Sequence, residues 1–265
     1  MTDVGSIVRA RDLRVSFGRT EVLHGVDLDV APGSAVGLVG ESGSGKSTLA
    51  KVLVGSVAPT SGVVEVAGID VGAADRASRR RLHRSVQLIP QDPYSSLNPR
   101  RTIGQALAEA IDPVRPSVRG SRARIDELLD RVRIPRDAVG RHPHEFSGGQ
   151  RQRIAIARGL AVEPRVLVAD EVTSALDVSV QAEVLRLLAE LRRDLGLTML
   201  FISHNLAVVN VVCDEVAVMR AGDVVESGPV RDVFAAPRHP YTRELLASVP
   251  GSPDFTLETA LERIH

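Results

Sequence analysis

Two kinds of hydrophobic pattern follow each other along the 265 residues. From Ile7 to Val30 apolar and polar residues alternate, which predicts an antiparallel sheet layer. Later segments with apolar residues at helical spacing, such as Val180 to Leu195, alternate with short continuous apolar runs. These runs, typical of buried strands, lie at 35–39, 86–89, 166–169, 198–202 and 216–219. Strands that alternate with helices predict an α/β fold whose mostly parallel sheet is covered on both faces.

The pattern changes between Tyr94 and His144. Apolar residues there fall at helical spacing, and the connecting segments are rich in proline and arginine. We therefore predict an α-helical subdomain at about 94–160 that is inserted in the α/β core. The whole core would span residues 1–236, and a short, polar C-terminal tail would span 237–265.

Composition limits the classes of function. The chain has 33 basic residues (Arg plus Lys) and 33 acidic residues (Asp plus Glu). No net charge therefore steers it toward nucleic acid or an anionic membrane. The five arginines within 76–84 could contact nucleic acid, but a solvated helix face is the favoured interpretation in a neutral chain. We expect Cys213, the single cysteine, to be a small buried residue. A signal peptide and a membrane span are not predicted, so membrane contact would require a partner.

A glycine-rich loop lies between the run at 35–39 and the helical pattern after it. It reads Gly40, Glu41, Ser42, Gly43, Ser44, Gly45, Lys46, Ser47 and Thr48. Backbone N–H groups of such a loop converge on a polyphosphate at a helix N-terminus. Lys46 would then reach the terminal phosphates, and the Ser47 hydroxyl would bind Mg²⁺. The alternative, a chance Gly/Ser-rich turn, is disfavoured because every fixed position of the motif is filled.

Residues suited to phosphate chemistry follow three further apolar runs. Gln91 could bind the metal ion or the attacking water, and Asp170 is expected to face Mg²⁺. Glu171 is placed to orient or deprotonate that water, whereas His204 could contact the γ-phosphate or the water. Each residue alone has an ordinary structural explanation in a turn, cap or loop. Because ligands in open α/β sheets lie beyond the carboxyl ends of the strands, we expect all four to converge on one crevice.

A second anion-binding helix start is predicted at Ser147, Gly148, Gly149 and Gln150. Ser147 and Gln150 fit a capping box, and the two glycines expose the first N–H groups of the helix that continues to Ala161. One chain thus has two phosphate-binding helix termini about a hundred residues apart. The simplest use of both is a head-to-tail pair of subunits that enclose nucleotide between them.

Together these motifs resemble, in order, those of the ATP-binding subunits of ABC transporters. Residues 40–48 resemble the Walker A motif, 166–170 the Walker B motif and 147–150 the signature. Gln91 matches the Q-loop, and His204 matches the switch histidine. The D-loop is matched by residues 174–177, which include Asp177. Phe17 stands where the family stacks an aromatic ring on adenine. The resemblance implies a P-loop NTPase (RecA-like) core with an N-terminal antiparallel β layer, the cofactors ATP and Mg²⁺, and a second ATP-binding subunit.

Three segments narrow the resemblance to the oligopeptide, dipeptide and nickel importer ATPases: 91–100, 175–181 and 239–246. This implies transmembrane permease subunits as partners, indirectly a solute-binding protein, and a position at the cytoplasmic face of the membrane. No nucleic acid partner is expected. Phe17, Phe146 and Val172 replace the common Tyr, Leu and Pro, but none of these departures removes a group that takes part in hydrolysis, so we expect ATP hydrolysis.

Two other classes of function are weighed against the importer. A non-transport ABC ATPase acting on nucleic acid or ribosomes would usually resemble tandem cassettes or a cassette split by a coiled coil, and this sequence has neither. A small-molecule P-loop kinase would not explain the helix start at Ser147. The sequence leaves open whether the solute is a peptide, nickel or another molecule, and whether the dimer contains two identical subunits.

Overall fold

The computed structural model describes residues 5–92, 96–174 and 176–248, whose strands form two sheets. The strands are β1 (Val8–Phe17), β2 (Thr20–Val30), β3 (Ala35–Val39), β4 (Ser61–Val66), β5 (Ile69–Asp70), β6 (Val86–Ile89), β7 (Val166–Asp170), β8 (Thr198–Ile202), β9 (Glu215–Arg220) and β10 (Asp223–Pro229). The helices are α1 (Lys46–Leu53), α2 (Arg76–Ser85), α3 (Ile103–Ile111), α4 (Arg122–Arg131), α5 (Gly148–Leu160), α6 (Val178–Leu195), α7 (Leu206–Val212), α8 (Val230–Ala235) and α9 (Pro240–Ala247). Two short 3₁₀ turns cover Arg136–Gly140 and Pro143–Glu145.

The smaller sheet is antiparallel, as the alternating N-terminal pattern predicts. Its strand order is β2-β1-β4-β5, and β1 pairs with β2 in a hairpin whose last pair is Phe17 with Thr20. Val8, Ala10, Leu13 and Val15 of β1 are fully buried. One face of this sheet therefore covers the core.

The larger sheet has the order β10-β9-β3-β8-β7-β6 in the described residues, with parallel pairing except between β9 and β10. Its strand β3 contributes alternate residues to two separate hydrophobic clusters. Ala35 and Val39 pack in the cluster formed with α3 to α9, and Val36 and Leu38 in the one formed with α1 and the antiparallel sheet. Both faces are covered, so the predicted α/β class is confirmed.

The segment between β6 and β7 is helical, and its apolar faces join the core. Ile103 of α3, together with Ile125 and Leu128 of α4, is fully buried in the same cluster as α5. Thr102 and Gln105 form a capping box at the start of α3. Tyr94, near which the subdomain is predicted to begin, lies outside the described residues.

The arginine-rich segment forms α2, in which Leu82 is buried. The five arginines of this helix are all exposed to solvent. This agrees with a solvated helix face.

The predicted C-terminal tail contains the helix α9 in its described residues, which end at Ser248. Tyr241 and Thr242 of this helix are 2% and 1% exposed, so one face of α9 packs against the core. Residues 249–265 lie outside the described part of the chain. Among all the described residues, no helix is both long enough and apolar enough to span a bilayer.

Cys213 is buried, as predicted, and burial raises the pKa of its thiol to about 12. Because the thiolate is the reactive form, we expect native protein to resist a thiol reagent at pH 8 and denatured protein to react at once. Labelling with and without denaturant, followed by mass spectrometry, checks this. Fast labelling of the native state would contradict the burial.

Candidate nucleotide and catalytic site

The glycine-rich loop connects β3 to α1, and at two of its positions both the backbone conformation and a close neighbour require glycine. Gly40 has φ 148°, and a Cβ there would lie 2.1 Å from the carbonyl oxygen of Met219. Gly45 has φ 103° at the N-cap of α1, where a Cβ would lie 2.7 Å from Leu23. The loop is thus folded as its motif predicts, with β9 and β2 packed against it.

Lys46 is 6% exposed and folds back over the loop. Its Nζ donates to the carbonyl oxygens of Gly40 (2.8 Å) and Glu41 (2.7 Å) and to the Ser44 hydroxyl (3.2 Å). Burial lowers the pKa of Lys46, although the carboxylates of Glu171, Asp170 and Glu41 oppose this. The ammonium group therefore sits among oxygen acceptors, an arrangement in which phosphate oxygens could replace them.

The remaining loop residues form a rim around Lys46. Glu41, Ser42, Gly43 and Ser47 are exposed, Thr48 is half-buried and Ser44 is 4% exposed. The Ser44 carbonyl accepts from the N–H of Gly222 in the turn after β9 (3.0 Å). The exposed side lies at the first turn of α1, where unpaired helix N–H groups favour anions.

Gln91, Glu171 and His204 meet at the carboxyl ends of β6, β7 and β8, as the topology predicts. The Gln91 amide donates to Glu171 Oε2 (2.9 Å) and to the Ser174 hydroxyl (3.3 Å). His204 Nδ1 lies 3.5 Å from Glu171 Oε1. The carboxylate of Glu171 is therefore flanked on both sides by side chains that can hydrogen-bond a water molecule.

Asp170 is the last residue of β7 and lies beside the first turn of α1. Burial raises the pKa of Asp170, and the Glu171 carboxylate acts in the same direction. A hydrogen bond with Ser47 and the charges of Lys46 and Lys51 oppose this rise. Negative charge is thus concentrated beside the Ser47 hydroxyl, where an added cation would be favourable.

The backbone of Glu171 has φ 47°, an uncommon value for a residue with a side chain. Its N–H donates to the carbonyl of Ile202 in β8 (2.9 Å), and its carbonyl accepts from Ser174 N–H (3.1 Å) and hydroxyl (3.0 Å). The next residue, Val172, is 1% exposed. These contacts over-determine the turn and fix the direction of the Glu171 side chain.

The predicted capping box is present at the start of α5. Ser147 Oγ accepts from Gln150 N–H (3.3 Å), and Gln150 Oε1 accepts from Ser147 N–H (3.0 Å). A Cβ at Gly149 would lie 2.2 Å from Val180, whereas one at Gly148 would make only ordinary contact with Leu176 at 3.5 Å. Gly149 is therefore required for close packing of α5 against α6, and Gly148 is not.

Asp177 caps α6 next to this contact. Hydrogen bonds from the Ser179 hydroxyl (2.7 Å) and the Val180 N–H (3.0 Å) hold the pKa of Asp177 below its usual range. Val178 beside it is 69% exposed. The starts of α5 and α6 thus form one exposed surface, which we call the signature face (Ser147–Gln150 and Asp177–Val178).

Phe17 lies at the tip of the β1–β2 hairpin and is 53% exposed. An exposed aromatic ring on a sheet layer that packs against the glycine-rich loop is free to stack on a planar ligand. Stacking of Phe17 on adenine stays a prediction of the family resemblance.

Sequence reasoning missed two residues of the site. Ser174 contacts Gln91, and Tyr241 Oη accepts the Glu41 N–H at 2.9 Å. Both lie in segments that carried the family resemblance, but neither has a role in the chemistry inferred from the motifs. Only the tertiary structure shows what these two side chains contact in the site.

Comparison with known proteins confirms the family. The ABC transporter family model matches residues 23–174, and the model for the oligopeptide/dipeptide transporter, C-terminal region, matches residues 225–262. A protein of Brucella ovis named as a peptide import ATP-binding protein is 48% identical over 246 residues, covering 92% of this chain and 77% of the relative. A Brucella abortus protein with the same description is 48% identical over 257 residues, with the same coverage.

Solved structures agree. CbiO1 of Clostridium perfringens, part of the ABC transporter complex cbiONQ, has a TM-score of 0.78 and 29% identity. The match covers 98% of this chain and 97% of the CbiO1 chain. An ATP-binding cassette solved as a dimer in a post-hydrolysis state with ADP and Pi has a TM-score of 0.72 and 27% identity. The match covers 84% of this chain and 99% of the cassette. The chain therefore belongs to the ABC transporter family and is one of its ATP-binding subunits, an ATPase.

Proposed function

We propose that this chain powers the import of peptides through a separate membrane permease, with two ATP-binding subunits enclosing two MgATP at their interface. The observation that carries the ATPase chemistry is the convergence of Lys46, Asp170, Glu171, Gln91 and His204 at one edge of the sheet. Peptide as the solute rests on the C-terminal region match and on the names of the Brucella relatives. Those names favour peptide over nickel, which the sequence left open.

We assign nucleotide binding to the loop 40–48 and to Phe17. Lys46 exchanges its three contacts within the loop for phosphate oxygens, and the loop N–H groups with the dipole of α1 hold the remaining negative charge. Phe17 stacks on the adenine. This assignment explains why a lysine, normally exposed, is held among oxygen acceptors at the helix start.

The residues near Lys46 fit a magnesium ion. Hydroxyl and carboxylate oxygens are the ligands that Mg²⁺ prefers, and the Ser47 hydroxyl lies near the Asp170 carboxylate. The ion would be held by Ser47 and Asp170, with Gln91 as a further candidate, and would neutralise phosphate charge. Gln91 turns its amide nitrogen toward Glu171, so its carbonyl oxygen is the atom suited to a metal ion.

Glu171 is the proposed catalytic base. Its carboxylate accepts a proton from the attacking water, while His204 and Gln91 orient that water or the γ-phosphate. The bond between Gln91 and Glu171 occupies one carboxylate oxygen, so the water must displace or share this contact. Closure of the dimer on ATP and reopening after hydrolysis then drive the transport cycle.

The signature face (Ser147–Gln150 and Asp177–Val178) is the proposed contact with ATP on the second subunit. Its helix start carries N–H groups for phosphate, and Val178 exposes apolar surface beside it. Two sites related by a two-fold axis then form from two loops and two signature faces. The dimer of a related cassette with ADP and Pi supports this arrangement.

The remaining domain and partner assignments follow from this scheme. We propose a nucleotide-binding domain at 1–236 and a C-terminal tail at 237–265, with the helical subdomain at about 94–160 transmitting motion from Gln91 to the permease. The protein would act at the cytoplasmic face of the membrane. A solute-binding protein and the permease would choose the solute, as the family resemblance implies.

Replacing Lys46 by alanine tests the nucleotide site. We expect ATP affinity to fall by about 10- to 100-fold, because charged hydrogen bonds to phosphate are lost. Binding of a fluorescent ATP analogue to purified protein measures this. Lys51→Ala is the matched control, since it removes an exposed lysine from the same helix and should retain binding. Equal loss in both variants would contradict the assignment.

The transport role is tested in proteoliposomes that contain this chain with the permease subunits and the solute-binding protein of a peptide importer from the same organism. We expect ATP-dependent accumulation of labelled peptide with the wild-type chain and none with Glu171→Gln. Accumulation of Ni²⁺ without peptide uptake would overturn the solute assignment. Failure of the chain to associate with the permease would overturn the transport role.

A further inference from the structure

We propose that Tyr241, in the C-terminal helix α9, is a positioning residue for the nucleotide site. Its hydroxyl accepts the backbone N–H of Glu41 at 2.9 Å, a contact between residues 200 positions apart. The ring is 2% exposed, so water does not compete for this bond. The proposal rests on the proposed role of the loop 40–48 in binding ATP.

The backbone N–H and carbonyl groups of Glu41 connect Tyr241 to Lys46. Tyr241 holds the Glu41 N–H, and the Glu41 carbonyl accepts from Lys46 Nζ at 2.7 Å. A shift of this segment of backbone would therefore move the acceptor that places the lysine. Tyr241 touches no reacting atom, and it acts through the backbone between itself and Lys46.

The start of α9 is fixed to the sheet, so Tyr241 has a defined position. Glu226 of β10 accepts from the backbone N–H groups of Arg238 (2.8 Å) and His239 (3.0 Å). His239 Nδ1 then accepts from the N–H of Tyr241 (3.2 Å) as the N-cap of the helix. The tail is thus anchored to β10 directly before the tyrosine.

The ring of Tyr241 is also held from the side of β9. The guanidinium of Arg220 lies over the ring, 4.9 Å from its centre. The preceding residue, Met219, packs its carbonyl against Gly40, and Gly222 donates to the Ser44 carbonyl. The loop is therefore supported by β2, by β9 with the turn after it, and by Tyr241, which is the contribution of the tail.

Loss of the hydroxyl should weaken ATP binding more than the chemical step. In Tyr241→Phe the Glu41 N–H loses its buried partner, and the loop populates orientations that do not fit phosphate. We expect KM for ATP to rise about 3- to 10-fold while kcat changes by less than about twofold, as for loss of an interaction made equally in ground and transition states.

Steady-state ATPase assays on the full chain, together with titration of a fluorescent ATP analogue, measure this split. Hydrogen exchange adds a direct readout, since a peptide covering 40–46 should exchange faster in nucleotide-free Tyr241→Phe than in wild type. The matched control is Ser248→Ala, which removes another hydroxyl at the end of α9, bonded to Leu245 rather than to the loop. The control should keep the wild-type KM.

A Tyr241→Phe protein with the wild-type KM would overturn the proposal, even if its melting temperature fell, because a purely structural tyrosine would affect only stability. A matching rise of KM in Ser248→Ala would overturn it as well. Failure of the proposed function has a different result: wild-type protein would not bind the ATP analogue, or Lys46→Ala would bind it equally well.

Discussion

Replacing Glu171 by glutamine is expected to lower kcat for ATP hydrolysis by roughly 10²- to 10⁴-fold while leaving ATP binding intact. Glutamine keeps the size of the side chain and its neighbours Gln91 and His204, but it cannot accept a proton from water. Because the loop around Lys46 is unchanged, ATP still binds and the closed dimer accumulates. Phosphate release and size-exclusion chromatography with MgATP measure the two effects.

The control for this variant is Glu190→Gln. It makes the same change of charge on α6, at a side chain that pairs with Arg133 away from the strand ends. Wild-type turnover is expected there. If Glu171→Gln retained near-normal turnover, Glu171 would not be the base, and a dimer that failed to accumulate would contradict the proposed closure.

Replacing Gly148 by aspartate is expected to abolish nearly all hydrolysis without unfolding the chain or preventing ATP binding to its own loop. The new Cβ makes ordinary contact with Leu176 at 3.5 Å, so the helix start tolerates it. Its carboxylate would face the ATP held by the second subunit, where like charges repel. Gly148→Ala adds the same Cβ without charge and should lose much less activity.

Mixing two inactive variants tests whether the site is shared between subunits. Gly148→Asp has an intact loop and a defective signature face. Lys46→Ala has the reverse, and at an ATP concentration well below its weakened Kd its own loop stays almost empty. A mixed dimer contains one site built from the intact halves, so an equal mixture should regain up to roughly a quarter of wild-type activity if one site works alone. Each protein by itself should stay inactive. No recovery in a mixture shown to form mixed dimers would contradict a head-to-tail site.

Much of the site follows from local sequence because its geometry is local. The loop 40–48 needs glycine where φ is positive, at Gly40, Gly43 and Gly45, and the capping box needs only Ser147 and Gln150. The convergence of Gln91, Glu171 and His204 follows from a rule of parallel sheets, in which all carboxyl ends lie at one edge. Motif order identified the family, and comparison with known proteins confirmed it.

Boundaries were less accurate where caps decided them. Helix α6 begins at Val178 rather than at the predicted Val180, because Asp177 caps it. Apolar periodicity marks the buried face of a helix but not its first exposed turn. The five predicted apolar runs match β3, β6, β7, β8 and β9 to within one residue at each end, since buried runs end where polar residues begin. Strands β5 and β10 were not predicted, because they lack a continuous buried run.

The sequence by itself determined the phosphate loop, the order of catalytic motifs and the α/β class, because these depend on neighbouring residues and on general rules of sheet topology. Only the tertiary structure decided that Gln91 bonds to Glu171 and Ser174, that Gly149 packs on Val180, and that Tyr241 holds Glu41. Such contacts join residues far apart in the chain. They are set by how the elements pack, which no local pattern encodes.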